Sequence, residues 1–266
     1  MKLYVIPLLR ARYTYYCHAT PKKQTYLSKA TNFAASKWDE LSHAERTSWK
    51  GRLYLTGQKL LDQMDYQEYF LKGVPLLEEW SAEVPMIYPS KIVSPSQINS
   101  NLNQLLDKRL PYHRKYMIYS ALFVPLSATF TIVPLIPNIP LFYNLFRLYS
   151  HYKAYKGAQH LRQVITDNRL SPLTCEMLDT IYKDIDLGGH DDPERMIPEE
   201  RIEAIAKHFE LPALEVDVKR ARNQVLNKLA KERSEKQSKS KSSNGDFAKP
   251  DNISSSNKTE NGRKNI

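Results

Sequence analysis

Between Lys115 and Arg147 the sequence reads YMIYSALFVPLSATFTIVPLIPNIPLFYNLF, 31 residues without a formal charge. A helix that crosses a bilayer needs about 20 apolar residues, so this stretch is long enough to cross or enter a membrane. Four prolines interrupt it. The three between positions 134 and 140 rule out a continuous helix there, because their ring nitrogens have no hydrogen to donate. The stretch therefore predicts a proline-broken apolar segment.

Two membrane geometries fit this segment. In the first, residues 116–133 span the bilayer once and Leu141 begins a second, interfacial helix. In the second, the chain enters and returns as a hairpin with its turn at 134–140, and basic residues on both flanks favour this geometry. A water-soluble helical hairpin inside a protein core is the alternative that involves no lipid.

The positive charge of the chain is concentrated beside the same segment. The chain has 266 residues, a net charge of +10, 26% charged residues and 41% hydrophobic residues, and its mean hydropathy of −0.55 excludes a multi-span transporter. No Asp or Glu occurs from Lys108 to Thr166, where basic residues are frequent. Basic charge beside apolar sequence predicts an anionic lipid of the cardiolipin type as partner, and direct binding of nucleic acid is not expected.

The helix expected after the turn has two faces. One side carries leucines and tyrosines, and the other carries Arg147 and His151 together with small residues. This pattern predicts a helix that lies at the level of the lipid headgroups, with its aromatic rings inward and its basic groups against phosphate. A solvated polar face is the alternative for these two residues. His151 is expected to titrate near neutral pH.

The N-terminal region has the composition of an import sequence. Residues 1–38 contain seven Lys or Arg residues and no acid, and Ser, Thr and Tyr are frequent. This composition predicts a mitochondrial targeting segment. The alternative is a strand from Leu3 to Leu9 that stays in the fold, although a retained segment can also serve in targeting.

The remaining patterns predict a mainly α, helical fold around one proline-broken, membrane-associated segment or hairpin. A capping box at Ser42 and Glu45 predicts a helix over 43–72, and a helix capped by Ser96 is expected to end before Pro111. Five regions follow: a basic N-terminal segment over 1–38, a helical region over 39–110, the membrane-associated segment with its basic amphipathic helix over 111–165, a small helical module over 166–231 and a disordered C-terminal tail over 232–266.

Inside the small module, helices are expected to begin at Ser171, behind Pro198 and at Ala213. A DNA-reading helix-turn-helix is an alternative for the last two. The acidic stretch 184–192 matches no EF-hand spacing and is interpreted as a solvated turn. The two cysteines lie far apart and are predicted to be unpaired thiols. No metal or cofactor is expected.

Three runs in the centre of the chain carry a resemblance to a known family. LIPNIP (135–140), FYNLFR (142–147) and SHYKAYKG (150–157) resemble the core signature of the fungal mitochondrial K+–H+ exchange-related family. The opening MKLYVIP is similar to the start of that family, and the similarity extends over about residues 1–230. The pair at 152–153 is Tyr-Lys where the family pattern has Trp-Arg. The signature residues taken as family-motif and lipid-interface candidates are Pro137, Asn138, Pro140, Arg147, Ser150, His151, Tyr152 and Lys153.

The resemblance implies a mitochondrial inner-membrane protein linked to K+–H+ exchange and matrix volume, with protein partners in that membrane. Cation transporters place carboxylates or exposed carbonyls at membrane depth. Because the apolar segment has no acid, an accessory or regulatory factor, or one subunit of a larger assembly, is predicted instead of the exchanger itself. No nucleotide-binding loop, zinc-protease motif or nucleophile elbow is present, so an enzyme is not expected. The alternative is a matrix-side membrane adaptor for the mitochondrial ribosome or RNA.

Overall fold

The computed structural model describes residues 1–19, 83–129, 139–187 and 192–243, together with 36, 39–40, 42–45, 47–62 and 64–75. The chain divides into two compact units, Met1–Leu226 and Asn227–Ile266. The strands are β1 (Lys2–Leu9), β2 (Arg12–His18), β3 (Val84–Tyr88) and β4 (Leu170–Thr174). The helices are α1 (Trp49–Asp62), α2 (Tyr66–Gly73), α3 (Pro95–Ala128), α4 (Ile139–Thr166), α5 (Glu176–Tyr182), α6 (Glu199–His208) and α7 (Pro212–Ser243), with a 3₁₀ turn at Pro193–Arg195.

A four-stranded sheet with the strand order β2-β1-β3-β4 organises the first unit. β1 and β2 form an antiparallel hairpin, whereas β3 is parallel to both β1 and β4. From Leu3 to Leu9 every residue of β1 is buried. A strand that is buried on both faces reads as a continuous apolar run without alternation, and this run explains why the N-terminus is part of the core.

The two faces of the sheet are covered by different helices. Leu3 and Val5 belong to a core cluster with buried residues of α2, α3 and α4. On the opposite face, Tyr4 stacks edge to face on Phe209, with 4.8 Å between ring centroids. The hydroxyl of Tyr182 donates to the carbonyl oxygen of Pro7 over 2.9 Å on that same side. The sheet is therefore the middle layer between two helical layers.

The N-terminal region thus contains the strand that was the alternative to a targeting segment, and this strand is part of the fold. β1 and β2 supply half of the sheet, and Leu3, Val5 and Ile6 have no exposed surface. Removal of residues 1–38 would open the core to water.

The helical part of the prediction is confirmed, but the sheet was missed, and several boundaries differ. The predicted helix over 43–72 is two helices, because Asp65 caps α2 by accepting from the N–H of Gln67. At the start of α1 the hydroxyl of Ser48 accepts a hydrogen bond from the N–H of Gly51. This cap replaces the capping box that was predicted at Ser42 and Glu45. Residues Val84–Tyr88, for which no strand was predicted, form β3.

α3 also differs from its prediction at both ends. It begins after Ser94, which forms a capping box with Gln97, and continues through Pro111 to Ala128. A proline inside a helix costs about 3 kcal/mol. The helix continues nevertheless because residues beyond Pro111 pack on α4, among them the buried His113 and Ser127.

In the C-terminal third, α6 and α7 begin behind Pro198 and at Pro212, as predicted within a residue. The helix expected from Ser171 is wrong at its start. Residues Leu170–Thr174 pair with β3 as an edge strand, and α5 begins at Glu176. α7 extends to Ser243, beyond the predicted start of the tail at 232, and residues 244–266 lie outside the described part. Both cysteines are free, as predicted.

Residues 130–138, the middle of the apolar segment, also lie outside the described residues. Among the helices that the structure describes, none combines the length and the apolar character that crossing a membrane requires.

Candidate functional site

α3 and α4 form a long hairpin that is strongly apolar where α3 ends and α4 begins. The side-chain amide of Asn144 in α4 donates to the carbonyl oxygen of Ser120 over 3.1 Å and to the hydroxyl of Ser127 over 3.3 Å, so the two helices are tied together at this end. The exposed large apolar side chains around these contacts are Ile118, Tyr119, Leu122, Phe123, Leu126, Phe142, Tyr143 and Leu145. We call this set the apolar end.

The exposure of the apolar end is high for a water-soluble surface. Leu122 and Phe142 keep 68% and 67% of their surface accessible, and Phe123 keeps 58%. Soluble monomers rarely expose apolar patches of more than a few hundred Å², and larger patches mark sites of contact with a partner or a membrane. Arg114 and Lys115 lie on α3 about two turns before Leu122, roughly 10–12 Å along the helix axis. The apolar end is thus bordered by positive charge.

Deeper in the hairpin, the polar side of α4 faces a buried carboxylate. Glu68 of α2 is 2% exposed. Arg147 donates to its Oε1 over 2.9 Å, and the hydroxyl of Ser150 donates to the same oxygen over 2.6 Å. The guanidinium neutralises the carboxylate, which makes its burial tolerable. Arg147 and Ser150 therefore connect α4 to α2.

Two buried histidines extend this network to α3. Arg147 approaches Nε2 of His151 at 2.9 Å, and Nδ1 of His151 lies 3.1 Å from Nδ1 of His113. Arginine only donates, so Nε2 of His151 must accept and its proton must sit on Nδ1. That N–H then donates to Nδ1 of His113, which places the proton of His113 on Nε2. Among the described residues this Nε2 has no hydrogen-bond partner.

The surroundings keep both imidazoles neutral. Burial lowers the pKa of His113 to about 4. Burial, together with the charge of Arg147, also lowers the pKa of His151 to about 4. Burial alone would raise the pKa of Glu68, but the hydrogen bond from Ser150 and the charge of Arg147 outweigh it and hold that pKa below its ordinary value. The expectation that His151 titrates near neutral pH is therefore corrected.

These pKa values predict a loss of stability in mild acid. The unfolded chain takes up protons on histidine below pH 6.5, whereas the folded pair stays neutral down to about pH 4. Stability is therefore full above pH 6.5 and falls as the pH drops toward 4, by on the order of a few kcal/mol. Urea unfolding between pH 7.5 and 4.5 measures this loss.

A matched pair of variants isolates the contribution of the histidine pair. His113→Asn keeps an acceptor for the N–H of His151 but does not titrate, so it is expected to flatten the pH dependence. His208→Asn removes an exposed histidine of α6 and is expected to leave the pH dependence unchanged. Equal curves for the wild type and His113→Asn would contradict the assignment.

One carboxylate and two imidazoles also suggest a metal site. Ligand atoms of Glu68, His113 and His151 all lie within 4.8 Å of one another. However, Nε2 of His151 accepts a hydrogen bond from Arg147, and Nδ1 of His113 accepts one from His151. The other two ring nitrogens carry protons, so neither imidazole has a free lone pair for a metal. A guanidinium also repels a divalent cation. The three residues therefore do not fit a metal while Arg147 holds this position.

The comparisons with known proteins agree with the resemblance of the central runs. A family model described as mitochondrial K+–H+ exchange-related matches residues 2–165, which is more than half of the chain. The chain belongs to this family. The description of this family relates the chain to the mitochondrion and to K+–H+ exchange.

Two curated relatives belong to yeasts, and both are described as uncharacterized. C23H3.12c of Schizosaccharomyces pombe is 28% identical over 192 residues, which cover 69% of this chain and 83% of the relative. YDL183C of Saccharomyces cerevisiae is 25% identical over 205 residues, and the chain spans 64% of the length of that relative. No solved structure matches the chain.

The structure brings together three of the candidates from the K+–H+ exchange-related signature. Arg147, Ser150 and His151 are in one buried network, in contact with protein groups and not with lipid headgroups as their helical pattern predicted. Tyr152 and Lys153 are half-buried on the neighbouring side of α4, and Pro140 is exposed in its first turn. Pro137 and Asn138 lie outside the described residues.

Sequence reasoning missed Glu68 and His113. Glu68 lies 79 residues before Arg147, and only the packing of α2 on α4 makes them neighbours. His113 follows Pro111, where the helix was expected to end. A continuous helix through Pro111 would have placed His113 on the same face as Leu102 and Leu106, both of which are buried.

Proposed function

We propose that this protein is a non-enzymatic accessory factor of mitochondrial K+–H+ exchange that attaches to the inner membrane through the apolar end of the α3–α4 hairpin. The family supports the link to K+–H+ exchange. The observation that carries the attachment is the exposure of Leu122, Phe123 and Phe142 beside a stretch of chain without acidic residues.

The chemistry of this end suits a lipid interface better than water. Each large apolar side chain that leaves water contributes about 1.5–3 kcal/mol. Tyr116, Tyr119 and Tyr143 have apolar rings with a polar hydroxyl, which is the composition favoured at the boundary between acyl chains and headgroups. Arg114 and Lys115 follow at the depth of the phosphates, where each positive charge adds about 1 kcal/mol on an anionic surface.

The charges also support an accessory role instead of transport by this chain alone. A cation pathway needs an acceptor group that can exchange its cation. Glu68 of α2 is buried against the hairpin, where Arg147 neutralises its charge and both Arg147 and Ser150 donate to its Oε1. From Lys108 to Thr166 the chain offers no other acid. Exchange would therefore take place in a partner on which this protein acts.

Replacement of two residues of the apolar end tests the attachment. Leu122→Ser with Phe123→Ser is expected to lower partitioning into phosphatidylcholine vesicles that contain cardiolipin by at least about tenfold, since two large apolar side chains are lost from the interface. Flotation of vesicles with the purified protein measures this partitioning. Both residues are exposed, so the thermal unfolding temperature should not change.

Leu173→Ser with Val216→Ser is the matched control. These side chains are 52% and 56% exposed but lie on β4 and α7, away from the hairpin end. The control is expected to partition like the wild type. Equal partitioning of the apolar-end variant and the wild type would remove the attachment from the proposal.

Swelling of isolated mitochondria in potassium acetate tests the link to exchange. Mitochondria without the gene are expected to swell more slowly than those with it, because potassium acetate enters fully only when K+ exchanges for H+. The wild-type gene should restore swelling, and the gene with Leu122→Ser and Phe123→Ser should not. Identical swelling with and without the gene would exclude the function in K+–H+ exchange.

A further inference from the structure

A groove on the solvent side of the α3–α4 hairpin contains no residue of the buried network or of the apolar end, although Arg114 at its rim also borders the apolar end. Its volume is about 860 Å³, and it runs from Arg114 and Tyr152 along α4 to Asp167. Leu110 and Pro111 line its α3 side. It is open to solvent and lies between two helices that also contribute to the main core.

The groove carries an excess of positive charge. Three basic side chains line it, Arg114, Lys156 and Arg162, against a single acid, Asp167. Asp167 already pairs with Arg169, and Arg162 pairs with Asp107. In the part of the chain that the structure describes, neither Arg114 nor Lys156 has an acidic partner. Two uncompensated cations therefore face the same cavity.

The neutral lining groups are hydrogen-bonding ones. Tyr152, Tyr155, Gln159 and Gln163 also line the groove. The side-chain amide of Gln159 donates to the hydroxyl of Tyr155 over 3.1 Å. An arginine offers a planar fork of donors and a lysine offers a compact charge, a combination that suits the oxygens of a phosphate group. Leu110 and Pro111 provide an apolar surface beside these charges.

We propose that this groove binds the phosphate group of a small anionic ligand, with Arg114 and Lys156 as its principal contacts. A lipid headgroup and a free phosphate compound share this chemistry. The position of Arg114, eight residues or roughly 12 Å along the axis from Leu122, brings the groove mouth to the depth of lipid phosphates when the apolar end is inserted. The headgroup source rests on the proposed membrane attachment, whereas phosphate binding in solution does not.

The binding is tested without membranes first. The full-length protein is titrated with inorganic pyrophosphate and, separately, with dihexanoyl phosphatidic acid below its micelle concentration, by calorimetry at low salt. Binding of both ligands with similar affinity indicates a free phosphate site, and stronger binding of the lipid indicates a headgroup site. Binding of neither ligand overturns the proposal.

Charge-removing variants locate the site. Arg114→Gln with Lys156→Gln is expected to weaken binding about 30-fold, since two cations near the anion are lost. Lys183→Gln with Lys207→Gln removes the same charge from exposed positions on other elements and is expected to leave the affinity unchanged. Equal losses in both variants would show attraction by net charge alone and would overturn the groove site, as would an unchanged affinity of the groove variant.

The two proposals fail separately. If Leu122→Ser with Phe123→Ser loses vesicle binding, the attachment stands. If the wild type then binds neither pyrophosphate nor the short-chain lipid in solution, only the groove site is removed. Phosphate binding that persists when the apolar-end variant no longer binds vesicles supports the groove independently. A groove that binds a single-stranded RNA oligonucleotide but neither phosphate probe would overturn the assignment to a small anion.

Discussion

Glu68→Gln is expected to destabilise the folded protein by about 3–5 kcal/mol, because it leaves the charge of Arg147 without its partner in a largely buried site. The carboxylate of Glu68 accepts from both Arg147 and Ser150, and its side chain is 3% exposed against 19% for that of Arg147. Urea unfolding of the purified full-length protein at pH 7.5 measures the loss.

An exposed ion pair of the same hairpin is the control for Glu68→Gln. Asp107 pairs with Arg162, and their side chains are 67% and 33% exposed. Asp107→Asn is expected to cost about 0–1 kcal/mol, since exposed pairs are screened by water. A similar cost for the two variants would show that the Glu68 network contributes no more than a surface pair does.

A double substitution separates the pair interaction from simple loss of burial. Glu68→Gln with Arg147→Met removes both charges and should be less destabilised than Glu68→Gln alone, because no unpaired buried charge remains. If the losses of Glu68→Gln and Arg147→Met, each measured alone, add up to the loss of the double variant, the two residues do not interact in the folded state.

Gly157→Ala is also expected to destabilise the folded protein, because Gly157 lies against the backbone of α2. A Cβ at position 157 would lie 2.0 Å from the carbonyl oxygen of Leu71 and 3.2 Å from Cβ of Val74. Alanine is the better helix former by about 1 kcal/mol, yet the clash with the backbone of α2 forces the helices apart. A net loss of roughly 1–3 kcal/mol in unfolding free energy is expected, together with disturbance of the nearby Glu68 contacts.

Gly73→Ala provides the matched control for the close approach. Its Cβ would lie 3.6 Å from the carbonyl oxygen of Cys17, an ordinary contact. With helix propensity favouring alanine and no clash, the variant is expected to be neutral or stabilised by up to about 1 kcal/mol. Thermal unfolding of both glycine variants makes the comparison, and a stable Gly157→Ala protein would contradict the close packing of α2 on α4.

The buried network and the close helix contact give one consistent picture of α4. Its small residues, Ala154, Gly157 and Ala158, allow α2 and α3 to approach, and its polar residues Arg147, Ser150 and His151 are then sealed between the helices. The central run of the K+–H+ exchange-related signature therefore encodes the packing of three helices. The apolar end and the groove, both on the outside, are left for contacts with other molecules.

The amino-acid sequence by itself determined the features that depend on local chemistry. Proline and acidic residues at 198–200 and proline at 212 mark helix starts, because a proline suits the first turn and acids favour the helix N-terminus. The uncharged run and the absence of acid from Lys108 to Thr166 determined that the hairpin is apolar at one end and basic beside it. These properties need no knowledge of distant residues.

Only the tertiary structure decided which side of α4 is buried. A helical pattern separates Arg147 and His151 from the tyrosines, but it does not say whether the polar side meets water, lipid headgroups or a buried carboxylate. Glu68 decides this from 79 residues away, and the continuation of α3 through Pro111 adds His113. The energy of a buried charge depends on a partner that is near in space and not in sequence, so local patterns do not contain it.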